Sequence, residues 1–399
     1  MSMSELHIDA NKPICHLKSN SDSGKELLAV GSSDSFVQDL GNLSEFQRWL
    51  DKDPSWVFGI LGYDLKNSVE KLQSENTTLC KSPQIAFFKP CEVWQKQNDL
   101  WSCLTDPSQP KRSHLQFSRF RNNAQIKLKP QISKEIYLNA VDRVKHHIQI
   151  GDVYELNYCH AFHGKYDDLD MRAVFEKLNT LTTAPFGGFF SLEGHQLACG
   201  SPERFMRRHG NELISQPIKG TIKRGESREE DLALMKKLAN SPKDRSENVM
   251  ITDLVRNDLS RIAQRASVRV DELFGIHSFQ TVHQMISTVS CEVKPEASFT
   301  DILRATFPMG SMTGAPKVRA MQLIEDLESF QRGWYSGSLG YIEPDGDFDF
   351  NVIIRSVMHN QHTGQVQACA GGAIVIDSSP EDEYDESILK LNAVLQSLT

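Results

Sequence analysis

Apolar residues recur at helical spacing in a few stretches of the chain and elsewhere gather in short runs bounded by turn residues. Tyr137, Val141, Val144 and Ile148 fall on one face, Ser133 stands where an N-cap is needed, and Gly151 closes the stretch. The spacing predicts a helix over 134–150. Residues 228–240 read as a helix ended by Pro242, and 243–258 and 315–327 as two more. The last helix has the clearest start: Ser379 can cap it, Pro380 fits its first position, and Asp382 can reach back. Short runs at 56–65, 85–88, 100–104, 153–162, 187–192, 196–200, 203–207, 338–342, 351–358, 366–370 and 373–376 predict strands. Helices and strands without regular alternation indicate an α+β fold. The first 20 residues are polar and weakly patterned, so order is not predicted there. The polar, basic stretch 105–130 (Lys111, Arg112, Arg119, Arg121, Lys127, Lys129) predicts an exposed connection. It divides the chain into an N-terminal region, 1–130, and a larger one, 131–399. No internal repeat is present.

Composition narrows the function classes. The 399 residues are 39% hydrophobic and 24% charged, ordinary for a soluble globular protein. No apolar run approaches the roughly 18–20 residues of a membrane span. The N-terminus has neither a basic n-region nor an apolar h-region, so a cytoplasmic location is expected. Eight cysteines are dispersed with no C-x-x-C pair, which argues against a zinc site or disulfide scaffold and fits a reducing compartment. The net charge of −8 lacks the basic surface that nucleic acid requires. An anionic small molecule is still bindable where a metal ion or a few placed cations invert the local field.

Several stretches carry residues of chemical interest. Glu383, Glu386 and Lys390 share one face of the last helix. That face is either a solvated charged surface or two carboxylates for a divalent cation with a lysine one turn on. Glu247 begins a mixed segment ending Asp253-Leu254-Val255-Arg256-Asn257-Asp258, readable as an internal ion-pair network. Pro308 to Lys317 (PMGSMTGAPK) opens a helix without P-loop spacing; its free N–H groups can hold a carboxylate, or the segment is a tight structural turn. Gly371-Gly372 lies between two strand-like runs, allowing close ligand approach or a bulge. Arg355, in an apolar strand, needs an anionic partner; His283 and Gln284 precede a short apolar run. Glu203 and Lys219 each stand in a turn-like context. Burial would raise the pKa of the first and lower that of the second, the tuning that a general acid and an amine nucleophile require.

Taken in order, SPERF (201–205), PIKGT (217–221), SPKDRSEN (241–248), DLVRND (253–258), FPMGSMTGAPK (307–317), GSLGY (337–341), IIRS (353–356), AGGAIV (370–375) and EYDESILK (383–390) resemble the chorismate-utilising enzymes. The likeness covers roughly residues 131–399, with a weaker match at 58–65. It implies a sandwich of two antiparallel sheets with helices outside and the N-terminal region woven in. It implies that Glu247 and Glu386 coordinate Mg²⁺, with Glu383 nearby or acting through water, and that the metal holds the ring carboxylate of chorismate. Arg355, Tyr341 and Lys390 would bind the substrate's carboxylates, helped by backbone N–H groups near Gly372. Thr313 and Thr221 would line the site. Gln284 stands where many relatives have histidine.

Single residues then select among these enzymes. Anthranilate synthases usually have alanine where this chain has Lys219; aminodeoxychorismate synthases of one large group have lysine. The resemblance therefore implies amination of chorismate at C4, giving 4-amino-4-deoxychorismate for 4-aminobenzoate and folate synthesis. In the implied mechanism Glu203 protonates the departing C4 hydroxyl. Lys219 attacks C2 to give a covalent adduct, and ammonia then attacks C4 and expels Lys219. Anthranilate synthase component I is the alternative, and isochorismate synthase a more distant one, because those relatives carry a lysine base where this chain has Glu155. Amidating members often have glutamine there. No Gly-x-Cys-x-Gly signature surrounds any cysteine, so a separate glutamine amidotransferase subunit is the implied ammonia source.

Overall fold

The computed structural model describes residues 5–9, 11–20, 25–117 and 126–399. Two large antiparallel sheets face one another. In the first, hydrogen-bonded neighbours follow the order Lys129–Pro130, Glu155–Lys165, Gln365–Ile374, Ser356–Asn360, His195–Ser201, Phe186–Leu192, Ile14–Lys18, Glu26–Val30, Glu92–Gln97 and Leu100–Cys103, with Gly314–Ala315 added beside Glu155. In the second the order is Ile218–Lys223, Val282–Glu292, Glu212–Gln216, Arg204–His209, Phe348–Asn351, Ser338–Ile342, Val57–Leu61, Ile85–Lys89 and Asp34–Gln38, with Arg269–Ser278 against Val282–Glu292. The inner faces meet in one apolar cluster that includes Phe58, Phe87, Phe190, Leu197, Phe205, Val352 and Ile353. The helices Met171–Thr182 and Pro380–Ser397 contribute Phe175, Leu178, Leu391 and Val394 to a second cluster, with Val357 and Ala368 of the first sheet. Lys134–Gln149 and Lys317–Leu327 pack on Leu156, Tyr158 and Ile374 in a third. The α+β sandwich with outer helices is the fold expected above.

Several local expectations are corrected. The run 351–358 is not one strand. The chain leaves the second sheet at Asn351 and enters the first at Ser356. Between them Val352 and Ile353 are fully buried, and Arg355 takes a left-handed backbone with φ of 51°. The apolar run marks a crossing between sheets, where burial on all sides, not pleating, sets the hydrophobicity. Conversely, 366–370 and 373–374 belong to one strand, Gln365–Ile374, which runs straight through the glycine pair, and Val375 and Ile376 lie beyond its end. In 56–65 only Val57–Leu61 is extended; Tyr63–Leu65 forms a 3₁₀ turn. Within the first 20 residues Ile14–Lys18 is an interior strand of the first sheet; residues 1–4 and 10 lie outside the described residues. Within the basic connection Leu115–Phe117 pairs with Leu6–Ile8; 118–125 lie outside the described residues. Pro242 opens a helix, Pro242–Ser260, capped by the Ser241 side chain, and does not end the one before it.

Candidate active site

The first sheet passes the chain to the second at Ser201-Pro202-Glu203, between the strands His195–Ser201 and Arg204–His209. The second returns it at Val352 to Arg355. The two crossings lie side by side: the Val352 amide donates to the Glu203 carbonyl at 3.0 Å, and the Gly200 amide to the Arg355 carbonyl at 3.0 Å. Glu203 and Arg355, 152 positions apart in sequence, are thereby fixed on one seam. The Ser201 hydroxyl accepts from the Glu203 amide and holds the turn. Burial pushes the Glu203 carboxyl up to about 7, against the pull of the nearby Ser311 hydroxyl and the Lys219 charge.

Lys219 comes from the strand Ile218–Lys223. A register shift lies between Ile218 and Thr221, and Gly220 takes φ of 88°, which only glycine adopts readily. The bulge turns Lys219 into the interior while Thr221 stays exposed. The Lys219 ammonium donates to Glu155 Oε1 at 2.5 Å, and both side chains are buried. Burial alone would lower the lysine pKa, but Glu155, Glu247 and Glu203 together outweigh it and raise the pKa above the usual lysine range. The expectation of a lowered pKa is therefore corrected: an ion-paired lysine rests as the ammonium.

Two helices supply further carboxylates. Glu247 lies on Pro242–Ser260, with Oε1 buried and without a hydrogen bond among the described residues. Glu383 and Glu386 lie on Pro380–Ser397. Glu383 accepts from the Ser378 hydroxyl at 2.7 Å, and Glu386 pairs with Lys390 at 2.7 Å. The Lys243 ammonium stands 3.9 Å from Glu247 and 4.0 Å from Glu383, so one cation links the two helices. Burial raises the pKa of both Glu247 and Glu383; Glu386, also partly desolvated, is held below its usual value by Lys390. Among the described residues, no three His, Cys, Asp or Glu side chains converge as a ready-made metal cage. Gly372 lies under the last helix. A Cβ there would meet a Glu383 oxygen at 3.2 Å and the Lys390 nitrogen at 3.5 Å, and Lys390 also donates to the Gly371 carbonyl at 3.1 Å.

Arg355 has no ion pair or side-chain hydrogen bond among the described residues, and burial lowers its pKa, with Tyr335 and Glu386 as its opposing influences. An enclosed guanidinium without a carboxylate is costly unless an anion arrives. Tyr335, which the sequence reading passed over, is buried beside it. Tyr341 is not part of this group. It packs on Trp56 and Phe58 and lines a separate cavity with Lys25, Arg204, Arg207, Glu343 and Asp349. Both tyrosines belong to GWYSGSLGY, and Ser336, at φ of 63°, turns the chain just after Tyr335. The Thr313 hydroxyl is consumed by the Met309 and Gly310 carbonyls. Gln284 is buried and registers with Thr221. His283 is held structurally between Ser278 and Asp231, at 2.8 and 2.9 Å. In DLVRND, Asp253 pairs with Arg256 at the surface, and Asp258 meets Lys317 of the APK turn, which also donates to the Thr306 and Pro308 carbonyls. Of the internal ion-pair network read there, only the Asp258–Lys317 pair is buried; Asp253 and Arg256 pair in solvent.

The sequence and the fold have counterparts among known proteins. The family described as chorismate binding enzyme matches residues 6–396. Aminodeoxychorismate synthase component 1 of Escherichia coli (strain K12) is 36% identical over 349 residues, 86% of this chain and 76% of that protein. The protein of the same name from Bacillus subtilis (strain 168) is 32% identical over 362 residues, covering 86% and 76%. Anthranilate synthase component I from Streptococcus pneumoniae TIGR4 superposes with a TM-score of 0.80 at 22% identity, covering 94% of this chain and 93% of that one. No helix among the described residues is long and apolar enough to cross a membrane. The chain belongs to the chorismate binding enzymes and is a chorismate-utilising enzyme.

Proposed function

We propose that this enzyme aminates chorismate at C4 with ammonia, giving 4-amino-4-deoxychorismate, the precursor of 4-aminobenzoate and folate, through a covalent Lys219 adduct. The observation that carries the reading is the buried Lys219 amine within the field of Glu203, a carboxyl that keeps its proton up to about pH 7. Glu203 protonates the C4 hydroxyl, which departs as water. The Lys219 amine forms a bond to C2 as the ring double bonds shift. Ammonia then bonds to C4, the double bonds shift back, the C2–N bond breaks and Lys219 is released. The ammonium formed at C4 returns a proton to Glu203. Arg355 and Tyr335 hold one substrate carboxylate at the seam.

Glu247 and Glu386, with Glu383 behind them, are the residues that would hold Mg²⁺. The donor set fits: hard carboxylate oxygens, one of them buried and without a hydrogen bond among the described residues, beside a lysine already acting as a shared cation. Mg²⁺ takes only one or two carboxylates and fills the rest of its shell with water and substrate oxygens, so a three-carboxylate cage is not required. Bound there, the metal would supply substrate orientation and charge stabilisation. A separate glutamine amidotransferase subunit would supply the ammonia; the component 1 relatives support that reading.

The test is the product formed from chorismate, Mg²⁺ and ammonium, identified by mass spectrometry. 4-Amino-4-deoxychorismate is expected from the wild type, with at least about a hundredfold loss in Lys219→Ala. Anthranilate or isochorismate as the only product would defeat the proposal, and so would unchanged C4 amination by the alanine variant.

A further inference from the structure

A close ion pair at the centre of the site joins two residues of which the mechanism above uses only one. Lys219 is the nucleophile; Glu155 touches its reacting nitrogen at 2.5 Å. Glu155 opens the strand Glu155–Lys165 in the first sheet, while Lys219 lies at an edge strand of the second. The pair therefore bridges the two sheets across the site. Glu155 is fixed from behind: its Cα registers with Ala315, and the following residue packs between two helices in the third apolar cluster. At 3% exposure for Glu155 and 9% for Lys219, neither side chain has ready access to bulk water.

We propose that Glu155 is the proton acceptor for Lys219, storing the nucleophile as a buried ion pair and releasing it by proton transfer within the pair. The inference rests on the covalent lysine mechanism proposed above and assigns the step which that mechanism leaves open. An ammonium cannot attack carbon. Its proton has to leave before the C2–N bond forms, and a buried lysine has few places to send it. The charged groups facing Lys219 from the packed elements are Glu155 on its strand, Glu247 on the helix Pro242–Ser260 and Glu203 on the seam, with Glu386 of the last helix farther off. Glu203 already carries the proton destined for the leaving hydroxyl, and Glu247 belongs to the group that would hold the metal. Glu155 is the carboxylate in contact.

The proton balance closes over the cycle. Glu155 takes a proton from the ammonium, and the neutral amine bonds to C2 while Glu203 delivers its proton to the C4 oxygen and water leaves. When ammonia displaces the lysine, the C2–N bond electrons return to Lys219, and the proton held by Glu155 restores the ammonium. The ammonium formed at C4 reprotonates Glu203. Chorismate and ammonia are consumed, and the aminated product and water are formed, with both carboxyls as they began.

The test is the pH dependence of C4 amination by wild type, Glu155→Gln and Glu155→Asp at saturating Mg²⁺ and ammonia. The amide keeps an acceptor oxygen for the ammonium but cannot take its proton, so the lysine must deprotonate to solvent. Glu155→Gln is expected to lose at least about tenfold in kcat at pH 7 and to regain rate as pH rises, with the chorismate KM unchanged. Glu155→Asp, which retains a base, is expected to keep the wild-type profile shape at reduced rate. A Gln variant with the wild-type pH profile, or one depressed equally at every pH, would overturn the assignment, the latter marking a role in shape alone. The two proposals fail separately. A wild type that makes no C4-aminated product removes the covalent reading whatever the variants do; an aminating wild type with an unaltered Gln profile removes only the role of Glu155.

Discussion

Replacing Arg332 with methionine takes one cation from the most enclosed ion pair near the site. Arg332 donates to Glu328 Oε1 and Oε2 at 2.6 and 2.9 Å, to the Met312 carbonyl at 2.8 Å, to the Asn157 carbonyl at 2.9 Å and to the Ser336 hydroxyl at 3.2 Å. It is 1% exposed and Glu328 4%. Without it Glu328 keeps one hydrogen bond, from the Cys159 amide at 2.9 Å, inside an apolar surround that already pushes its carboxyl up. Breaking a buried pair from one side typically costs about 3–5 kcal/mol, whereas exchanging both partners for apolar residues is often near neutral. Arg332→Met is therefore expected to lose about 3–5 kcal/mol in equilibrium urea unfolding followed by tryptophan fluorescence, and the double variant with Glu328→Leu is expected to recover most of that loss. Because Arg332 ties together the chain at Asn157, Met312 and Ser336, its removal also loosens Glu155, Thr313 and Tyr335, and the folded fraction should show a raised chorismate KM. A loss under about 1 kcal/mol, or a double variant no better than the single one, would refute the reasoning.

Glu203 has a folded pKa above its unfolded one, so it favours the fold at low pH, and that contribution fades as pH rises from about 4.5 to about 7. Glu203→Gln is accordingly expected to match the wild type in stability near pH 4, to exceed it above pH 7 by up to about 3 kcal/mol, and to abolish amination; urea midpoints that run parallel across this range would contradict the assignment. Tyr335→Phe is expected to weaken chorismate binding by about 1 kcal/mol, read as KM, while Tyr341→Phe leaves KM unchanged; the reverse ranking would return the substrate to Tyr341. Removal of divalent cations with EDTA is expected to weaken chorismate binding by calorimetry at least about tenfold, with Mg²⁺ but not Na⁺ restoring it; unchanged affinity would count against a metal held by Glu247 and Glu386.

What the sequence disclosed depended on whether a residue's neighbours in the chain are also its neighbours in space. The last helix was readable because Ser379, Pro380 and the spacing of Tyr384, Ile388 and Leu391 act locally. The two crossings were not. A run such as Asn351 to Met358 is apolar because it is buried from every side, and that hides the change of sheet that places Arg355. Tyr335 was passed over for a related reason: Tyr335 and Tyr341 look alike in GWYSGSLGY, and only the left-handed Ser336 and the strand after it send one to the seam and the other to a different cavity. The lysine pKa departs from the sequence expectation because of a partner distant in the chain. Burial was foreseeable from sequence, but Glu155, 64 positions away, was not identifiable as the partner that reverses its effect. Among the site residues, the chemical types were legible and their pairings were not.

Those pairings also bear on why a dianion would need help to bind. Lys219 is matched by Glu155, Lys390 by Glu386, and Lys243 by Glu247 and Glu383 together. Of these site cations Arg355 alone forms no ion pair among the described residues, with Glu386 acting on it only from a distance. With Glu203 largely protonated below about pH 7, four carboxylates stand against four cations and the site is close to neutral. Chorismate carries two carboxylates, and one unmatched guanidinium compensates only one of them. The second would enter a desolvated pocket walled by glutamates, where unpaired charge is costly. A divalent cation seated at Glu247 and Glu386 would supply the missing positive charge and release Lys243 from its bridging position. The abundance of acid in a pocket meant for an anion would then be intelligible: the carboxylates would serve the cation, and the cation the substrate.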